Sequence, residues 1–397
     1  MPVPGEAESG PPPRLEVLLA IKGLGHGGAE RLLVDMVAAG DQRSFAYQVA
    51  YVLDTADAFV PVLRWNGTTV HPLGAVGNLD LRWLLAFRRL LLSHHYDIVH
   101  FHLPYTAALG RLVVASLPRR RRPVTLYTEH SLWNKAAVLV KILNRATIGL
   151  DRALIAVSQA AFDALPSTLK RRAQVVVHGV DLHRSGEMIG RRDDIRKSVR
   201  AELGVPPGEL LAVTVAGLRS EKGYDMLLDA AHIVDDRRLP IRFAAAGQGA
   251  LDRELAERCR ALGLRDRFRF LGHRQDALEL LTAADIVVLP SHQEGLPVVL
   301  MEASSVGAAM VATSVGGVGQ VVQDGVTGLI VPPGRPEALA DAIERLASDP
   351  DLRTRLGQRA AVESAAFDVT RAAGDVERIY RTLSTPHRSS AGDTAGP

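Results

Sequence analysis

Two glutamates, Glu294 and Glu302, lie in the stretch DIVVLPSHQEGLPVVLMEASSVGAAMVATSVGG over residues 285–317. On one helix their spacing would amount to about two turns, ~12 Å of rise. The flanking residues argue for a different arrangement. The apolar run Ile286–Leu289 reads as a buried parallel strand, a polar loop over 291–296 follows, and Pro297 sits at a first helical turn. Glu294 then precedes the helix and Glu302 rides on it, so the two carboxylates reach different parts of one extended ligand. Exposed loops and helices also carry such acids, and spacing alone does not separate the two readings. Placement at the C-terminal end of a strand, where open α/β sheets bind ligands, favours the ligand.

Other groups with chemistry are spread along the chain. Gly23, Gly25, Gly27 and Gly28 form a turn between a strand at 15–21 and a helix whose Leu32, Leu33, Met36 and Val37 share one face. Such a turn lets backbone N–H groups approach an anion, or serves only as a tight turn; its spacing is not that of a dinucleotide fingerprint. His130 ends the strand 124–128. It could donate to a sugar hydroxyl or a phosphate, handle a proton, or be a satisfied buried ring. His100 and His102, in DIVHFH, are weaker candidates because no turn signal flanks them. Arg219 and Lys222 follow the strand LLAVTVAG. A guanidinium forks onto phosphate and an ammonium supplies a mobile point charge, although both could be surface cations. Ser158 is explained by helix capping. No Asp-x-Asp motif suited to a diphosphate-bound metal and no His-Glu-x-x-His pair occurs, so no metal is expected. Cations and helix-end N–H groups would have to stabilise a leaving diphosphate.

Positioning these groups takes a large α/β frame. At 397 residues, 47% hydrophobic and 5% aromatic, the chain suits two domains rich in Ala, Val and Leu. Strand–loop–helix units recur throughout, which predicts doubly wound sheets. We expect a disordered lead at 1–13, a first domain at 14–185, a second at 186–367, a helix at 368–384 crossing back to the first, and a disordered tail at 385–397. A single cysteine, Cys259, excludes a disulfide framework and suggests a reducing compartment. The sequence has no apolar run long enough for a transmembrane span and no secretory signal pattern. Through residue 185 there are 21 Lys and Arg against 14 Asp and Glu; the remainder has 26 against 30. A basic first half could face an anionic acceptor or a membrane surface, or be plain surface variation. Arg119–Arg122 read as a solvated loop with the same option. The helix expected at 132–149 reads as packing on the sheet, and its basic face leaves membrane attachment open.

Taken in order, GGAER at 27–31, TEH at 128–130, HGVD at 178–181, the Arg219/Lys222 loop and Glu294-x7-Glu302 resemble the family 4 retaining glycosyltransferases over about residues 14–375. The resemblance implies the GT-B architecture, two Rossmann-like domains facing across a cleft, with a nucleotide-diphosphate sugar on the second domain and the acceptor entering from the first. It implies that Glu294 contacts donor-sugar hydroxyls with Gly295 and Leu296 N–H groups, and that Glu302 holds the ribose. Arg219 and Lys222 neutralise the diphosphate beside Gly217, Gly27 and Gly28 approach it from the opposite domain, and His130 orients the sugar. Two positions depart from the pattern: Gly217 stands where the family often has Arg, and Gln320 replaces the acid of G-G-x-x-E.

The implied activity is retaining transfer, with the nucleotide sugar as donor substrate and no further cofactor. The acceptor is a glycan, a lipid-linked sugar or a small molecule, in envelope glycan or glycolipid synthesis. A cytoplasmic site with an optional peripheral contact to the inner face of the membrane is expected, and no nucleic-acid partner. The alternatives are a GT-B phosphorylase, a sugar-nucleotide epimerase and a non-catalytic regulator that binds sugar nucleotides.

Overall fold

The computed structural model describes residues 14–130 and 138–384. The expected lead, the tail and the start of the helix at 132–149 lie outside the described residues.

Seven strands build the first sheet: β1 (Leu15–Ile21), β2 (Phe45–Leu53), β3 (Thr69–Ala75), β4 (Ile98–His102), β5 (Val124–Glu129), β6 (Ala153–Ala156) and β7 (Ala173–Val175). Their order is β3-β2-β1-β4-β5-β6-β7, all parallel. The helices between them are α1 (Gly28–Ala39), α2 (Val60–Trp65), α3 (Arg82–Ser93), α4 (Pro104–Ala115), α5 (Val138–Thr147), α6 (Gln159–Asp163) and α7 (Ser167–Lys170). One face of the sheet is covered by α3 and α4, with α5 packed against α4, and the other by α1 and α2. On α3 the buried residues Trp83, Phe87 and Leu91 recur every four positions, which turns one helical stripe to the sheet. The helix begins at Arg82, whose N–H the Asp80 carboxylate accepts. β3 includes Pro72, which an edge strand tolerates because one side of its ladder is unpaired.

The second half opens with α8 (Leu182–Gly190) and α9 (Arg192–Glu202). It continues through β8 (Leu210–Val215), α10 (Tyr224–Asp236), β9 (Ile241–Ala246), α11 (Asp252–Ala261), β10 (Phe268–Gly272) and α12 (Ala277–Ala283). It closes with β11 (Ile286–Leu289), α13 (Val298–Ser305), β12 (Ala309–Thr313), β13 (Leu329–Val331), α14 (Pro336–Ser348), α15 (Pro350–Glu363) and α16 (Val369–Ser384). The sheet order is β10-β9-β8-β11-β12-β13, again parallel. These are two doubly wound units, the class expected from the strand–loop–helix recurrence.

Two crossings join the units. Val176 belongs to the core of the first sheet and Val180 to that of the second. On the return, Phe367 packs with the second core while Val376 and Tyr380 of α16 pack with the first, beside α1. The crossings pair with each other: Val180 N–H donates to Phe367 O at 2.8 Å, and Val369 N–H to Val180 O at 3.1 Å. Glu377 of α16 fixes the return by accepting the Tyr47 hydroxyl at 2.8 Å and the Asp41 N–H at 2.6 Å. Among the described residues no helix is long and apolar enough to cross a membrane.

Candidate functional site

In each sheet the strand order reverses direction once, between β1 and β4 in the first and between β8 and β11 in the second. At such switch points the loops leaving the strands diverge to opposite faces and open a crevice. The residues singled out in the sequence follow these strands.

In the second unit, Lys222 Nζ lies 2.7 Å from Glu294 Oε1, and Ser291 Oγ donates to the same oxygen at 2.6 Å. Glu294 is almost fully buried, so the ammonium supplies the compensation that its charge loses by leaving water. Both contacts fall on Oε1, and Oε2 remains for another donor. Two glycines hold the loops together. Gly223 (φ +65°) follows Lys222, and a Cβ there would strike Pro290 O; Gly316 (φ +50°) packs its backbone against Glu294 O. Any side chain at either position would push the two loops apart. Arg219 is half-exposed and pairs with Glu221 at 3.2 Å. Its guanidinium folds back over Gly217, where a Cβ would meet Arg219 Nε at 3.4 Å. The cation thus occupies space beside the position where the family often carries Arg. Leu296 is buried, and Pro297 forms the N-cap just before α13 rather than its first turn.

Glu302 rides on α13, half-buried. Burial pushes its carboxyl up to about 6; Arg31 opposes the rise, Asp35 adds to it and Arg184 opposes it. Arg31 and Asp35, themselves paired at 2.7 Å, belong to α1 of the first unit. Gly28 is the first residue of α1, and a Cβ on it would stand 3.6 Å from Val298 Cγ2 of α13. The α1 N-terminus and the start of α13 therefore face each other closely. The Glu30 carboxylate folds over Gly27, filling the space of a Cβ there, and burial raises its pKa while Arg219 and Lys22 pull it down. Two further contacts span the units: His26 stacks on His273 with ring centroids 3.5 Å apart, and Gln320 Oε1 accepts the Gln159 N–H at 3.0 Å. Gln320, at the position of the usual acid, thus serves as a neutral acceptor for the start of α6.

His130 sits in a group of buried rings. His102 Nδ1 and His130 Nε2 share a 2.9 Å hydrogen bond, and the rings of His130 and His178 stack at 5.7 Å. His100 is tied to Tyr380 Oη and Thr128 Oγ1, both at 2.6 Å. Burial, then the neighbouring imidazoles, holds His100, His102 and His130 well below the usual histidine range; burial alone lowers His178 to about 4. Depressed in this way, all four favour the neutral form at neutral pH, which suits His130 to hydrogen bonding as an imidazole rather than to service as an imidazolium acid. Its Nδ1 has no partner among the described residues. No group of three or more His, Cys, Asp or Glu is placed to hold a metal ion among the described residues.

In the sequence His102 is a weaker candidate and His178 stands only as part of HGVD, while Glu30 and Arg31 lie inside GGAER with no individual role. His102 becomes a neighbour of His130 only because β4 and β5 pair in register, His102 opposite Thr128. The alignable signal was the pair of strand ends, H-x-H and T-E-H, on strands adjacent in the sheet. Arg31 meets Glu302 only through contact between the units, which no local pattern encodes.

Comparisons with known proteins follow the same division. Residues 26–184 match the family model Glycosyltransferase Family 4, and residues 195–362 match Glycosyl transferases group 1. An alpha-D-kanosaminyltransferase of Streptomyces kanamyceticus is 31% identical over 264 residues, which cover 66% of this chain but only 64% of that relative. A D-inositol 3-phosphate glycosyltransferase of Saccharomonospora viridis is 30% identical over 331 residues, 76% of this chain and 73% of the relative. Among solved structures, Anabaena HepE in complex with UDP and glucose superposes with a TM-score of 0.79 at 23% identity, covering 93% of this chain and all 100% of that one. The sucrose-phosphate synthase of Thermosynechococcus elongatus gives 0.75 at 21% identity, covering 93% and 99% of the two chains.

Proposed function

The chain belongs to the family 4 glycosyltransferases, and from that premise we propose that it moves a sugar from a nucleotide-diphosphate sugar to an acceptor hydroxyl, with retention at the anomeric carbon. The observation that carries this reading is the Lys222–Glu294 pair, a cation and a carboxylate 2.7 Å apart at the switch point of the second sheet. Arrival of a diphosphate gives Lys222 a second anion. Glu294 Oε2 then accepts a donor-sugar hydroxyl, with the Gly295 and Leu296 N–H groups beside it. Arg219 forks onto the diphosphate over Gly217, and the N–H groups after Gly27 and Gly28 meet it from the α1 side. Glu302 accepts from the ribose hydroxyls. His130, neutral, donates to the sugar near the reacting carbon.

In the transfer step the bond between the anomeric carbon and the phosphate oxygen breaks, and its electron pair stays on the phosphate. The acceptor oxygen bonds to the same face of the carbon, and its proton passes to the leaving phosphate. No covalent enzyme intermediate is invoked. A glycosidase-type pair would need both carboxyls about 5–5.5 Å apart around that carbon, whereas Glu302 is assigned to the ribose. The cations and helix-end dipoles stabilise the departing charge in place of a metal, and contact between the two units excludes competing water.

The acceptor class is a glycan, a lipid-linked sugar or a small molecule, and the inositol phosphate named for one relative belongs in the screen. A cytoplasmic enzyme with peripheral membrane contact fits the basic first unit. The test is calorimetry with a library of nucleotide sugars, then mass spectrometry and NMR of the product made with the best donor. A glycosylated product with the donor's anomeric configuration is expected. An inverted product would overturn retention. Phosphate-dependent cleavage, epimerised donor, or tight donor binding with no product from any acceptor would each overturn transfer.

A further inference from the structure

The outer surface of the α3–α4–α5 layer has an unusual charge pattern. These three helices and the basic turn Arg119–Arg121 contain no Asp or Glu. By contrast, on the other face of the same sheet α1 carries Glu30 and Asp35 and α16 carries Asp375 and Glu377, although the short α2 is acid-free as well. Most exposed apolar residues lie on the α3–α4–α5 layer and its entry loop, with Trp65 of α2, 91% exposed, the main exception. Leu79 is 95% exposed, Leu85 62%, Val138 69%, Leu139 67% and Ile142 59%.

The pattern has a direction. The loop before α3 and its first turns present Leu81 and Leu85, with Arg82 between them neutralised by Asp80, and then Arg88 and Arg89; α5 presents Val138, Leu139 and Ile142 first, then Arg145. Both helices run away from the C-terminal strand ends, so the aliphatic ends lie toward His102 and His130 and the arginines lie farther out. Arg88, Arg89, Arg119, Arg120 and Arg145 are exposed, and among the described residues none is paired with a carboxylate. The layer is firmly packed beneath this surface. Buried Arg111 of α4 donates to Asp151 at 2.6 Å and to Asn144 of α5 at 2.6 Å, and stacks over Tyr127 of β5. The exposed aliphatics are therefore the outer side of a fixed layer, not core residues that have failed to find their place.

We propose that this layer docks on an anionic lipid surface, its aliphatic end entering the headgroup region and its arginines meeting lipid phosphates. It deepens the peripheral-contact reading above, on which it rests, and does not depend on the donor chemistry. Charge complementarity selects the partner: an acid-free face with aliphatics and arginines in series suits a bilayer interface. A nucleic-acid groove would call for stacking aromatics among the cations. Docked this way, the bilayer lies beside the strand ends that carry His102 and His130, the side from which a lipid-linked acceptor would come.

The test is sedimentation of the full chain with vesicles of phosphatidylcholine, with and without phosphatidylglycerol, alongside nucleoside-diphosphate calorimetry on the same samples. Binding to the anionic vesicles at least about tenfold tighter than to neutral ones, and weakening with salt, is expected. R88Q/R89Q and L139S/I142S should each lose about tenfold or more, while V362S, 69% exposed on the second unit, should lose nothing. Retained nucleotide binding with no preference for anionic vesicles overturns the docking face while leaving the donor reading intact. Equal losses in all three variants overturn it as well. Lost nucleotide binding in the wild type, with vesicle binding as expected, contradicts the donor reading alone.

Discussion

Burial lifts the Glu302 carboxyl from its ordinary 4.5 to about 6, with Arg31 working against the rise, and the sign of two effects follows. Between those values the native state holds a proton that the unfolded chain has released, so this group's contribution to stability is full below 4.5 and lost as pH rises through about 6. Replacing it with Gln removes that loss, and E302Q should gain on the wild type in thermal unfolding at pH 8 relative to pH 4.5. Donor affinity should move the other way, because only the ionised form offers its full acceptor capacity to two ribose hydroxyls. Calorimetry should show wild-type binding falling below pH 6 and E302Q binding weaker and flat through that range. An acid limb near 6 that persists in E302Q would assign it to another group, and the four histidines are excluded from that role by their low pKa values. In the proposed reading His102 acts on the ligand through its hydrogen bond to His130. Loss of the 2.9 Å bond in H102A should lower kcat by about tenfold with little change in donor KM, and H102Q should restore part of it. Glu294, Lys222 and His130 lie after strand ends and Glu302 on α13, as the sequence reads; the contact of His102 with His130 could not be read there, because it is set by pairing between strands.

At the level of elements, most strands and helices could be read from periodicity, and two details have local causes. The Asp80 carboxylate accepts the Arg82 N–H where α3 begins, and β3 runs through Pro72 because it is an edge. Harder to foresee was the buried Arg111, which looks in the sequence like any helix cation. It links α4 to α5 and to β5, the strand that delivers His130. R111A leaves Asp151 without its cation in the interior and should cost ~3–5 kcal/mol in urea unfolding, whereas R111M, which removes the charge but keeps the volume, should cost less than R111A. The same measurement on R145Q, an exposed cation of α5, should show a change within about 0.5 kcal/mol.

At the scale of the molecule, the two-unit organisation could be inferred from length and from the repeated strand–loop–helix units, but not how the units meet. Nothing in the sequence foretold that Gly28 would face Val298, that His26 would stack on His273, or that Gln320 would accept from the start of α6. These contacts join residues far apart in the chain, and the paired crossings at Val180 and Asp368 bring them to register. In the proposed reading the first unit supplies a helix N-terminus and a neutral histidine to the donor site, and the second supplies Lys222, Arg219 and two carboxylates. The most direct test of that division is the steady-state rate of sugar transfer by E294A, with the best donor from the calorimetric screen and with folding checked by thermal unfolding. A stable E294A that loses ~100-fold or more of its turnover is the expected result; a stable E294A that transfers sugar at nearly the wild-type rate would contradict the assignment of Glu294 to the donor sugar.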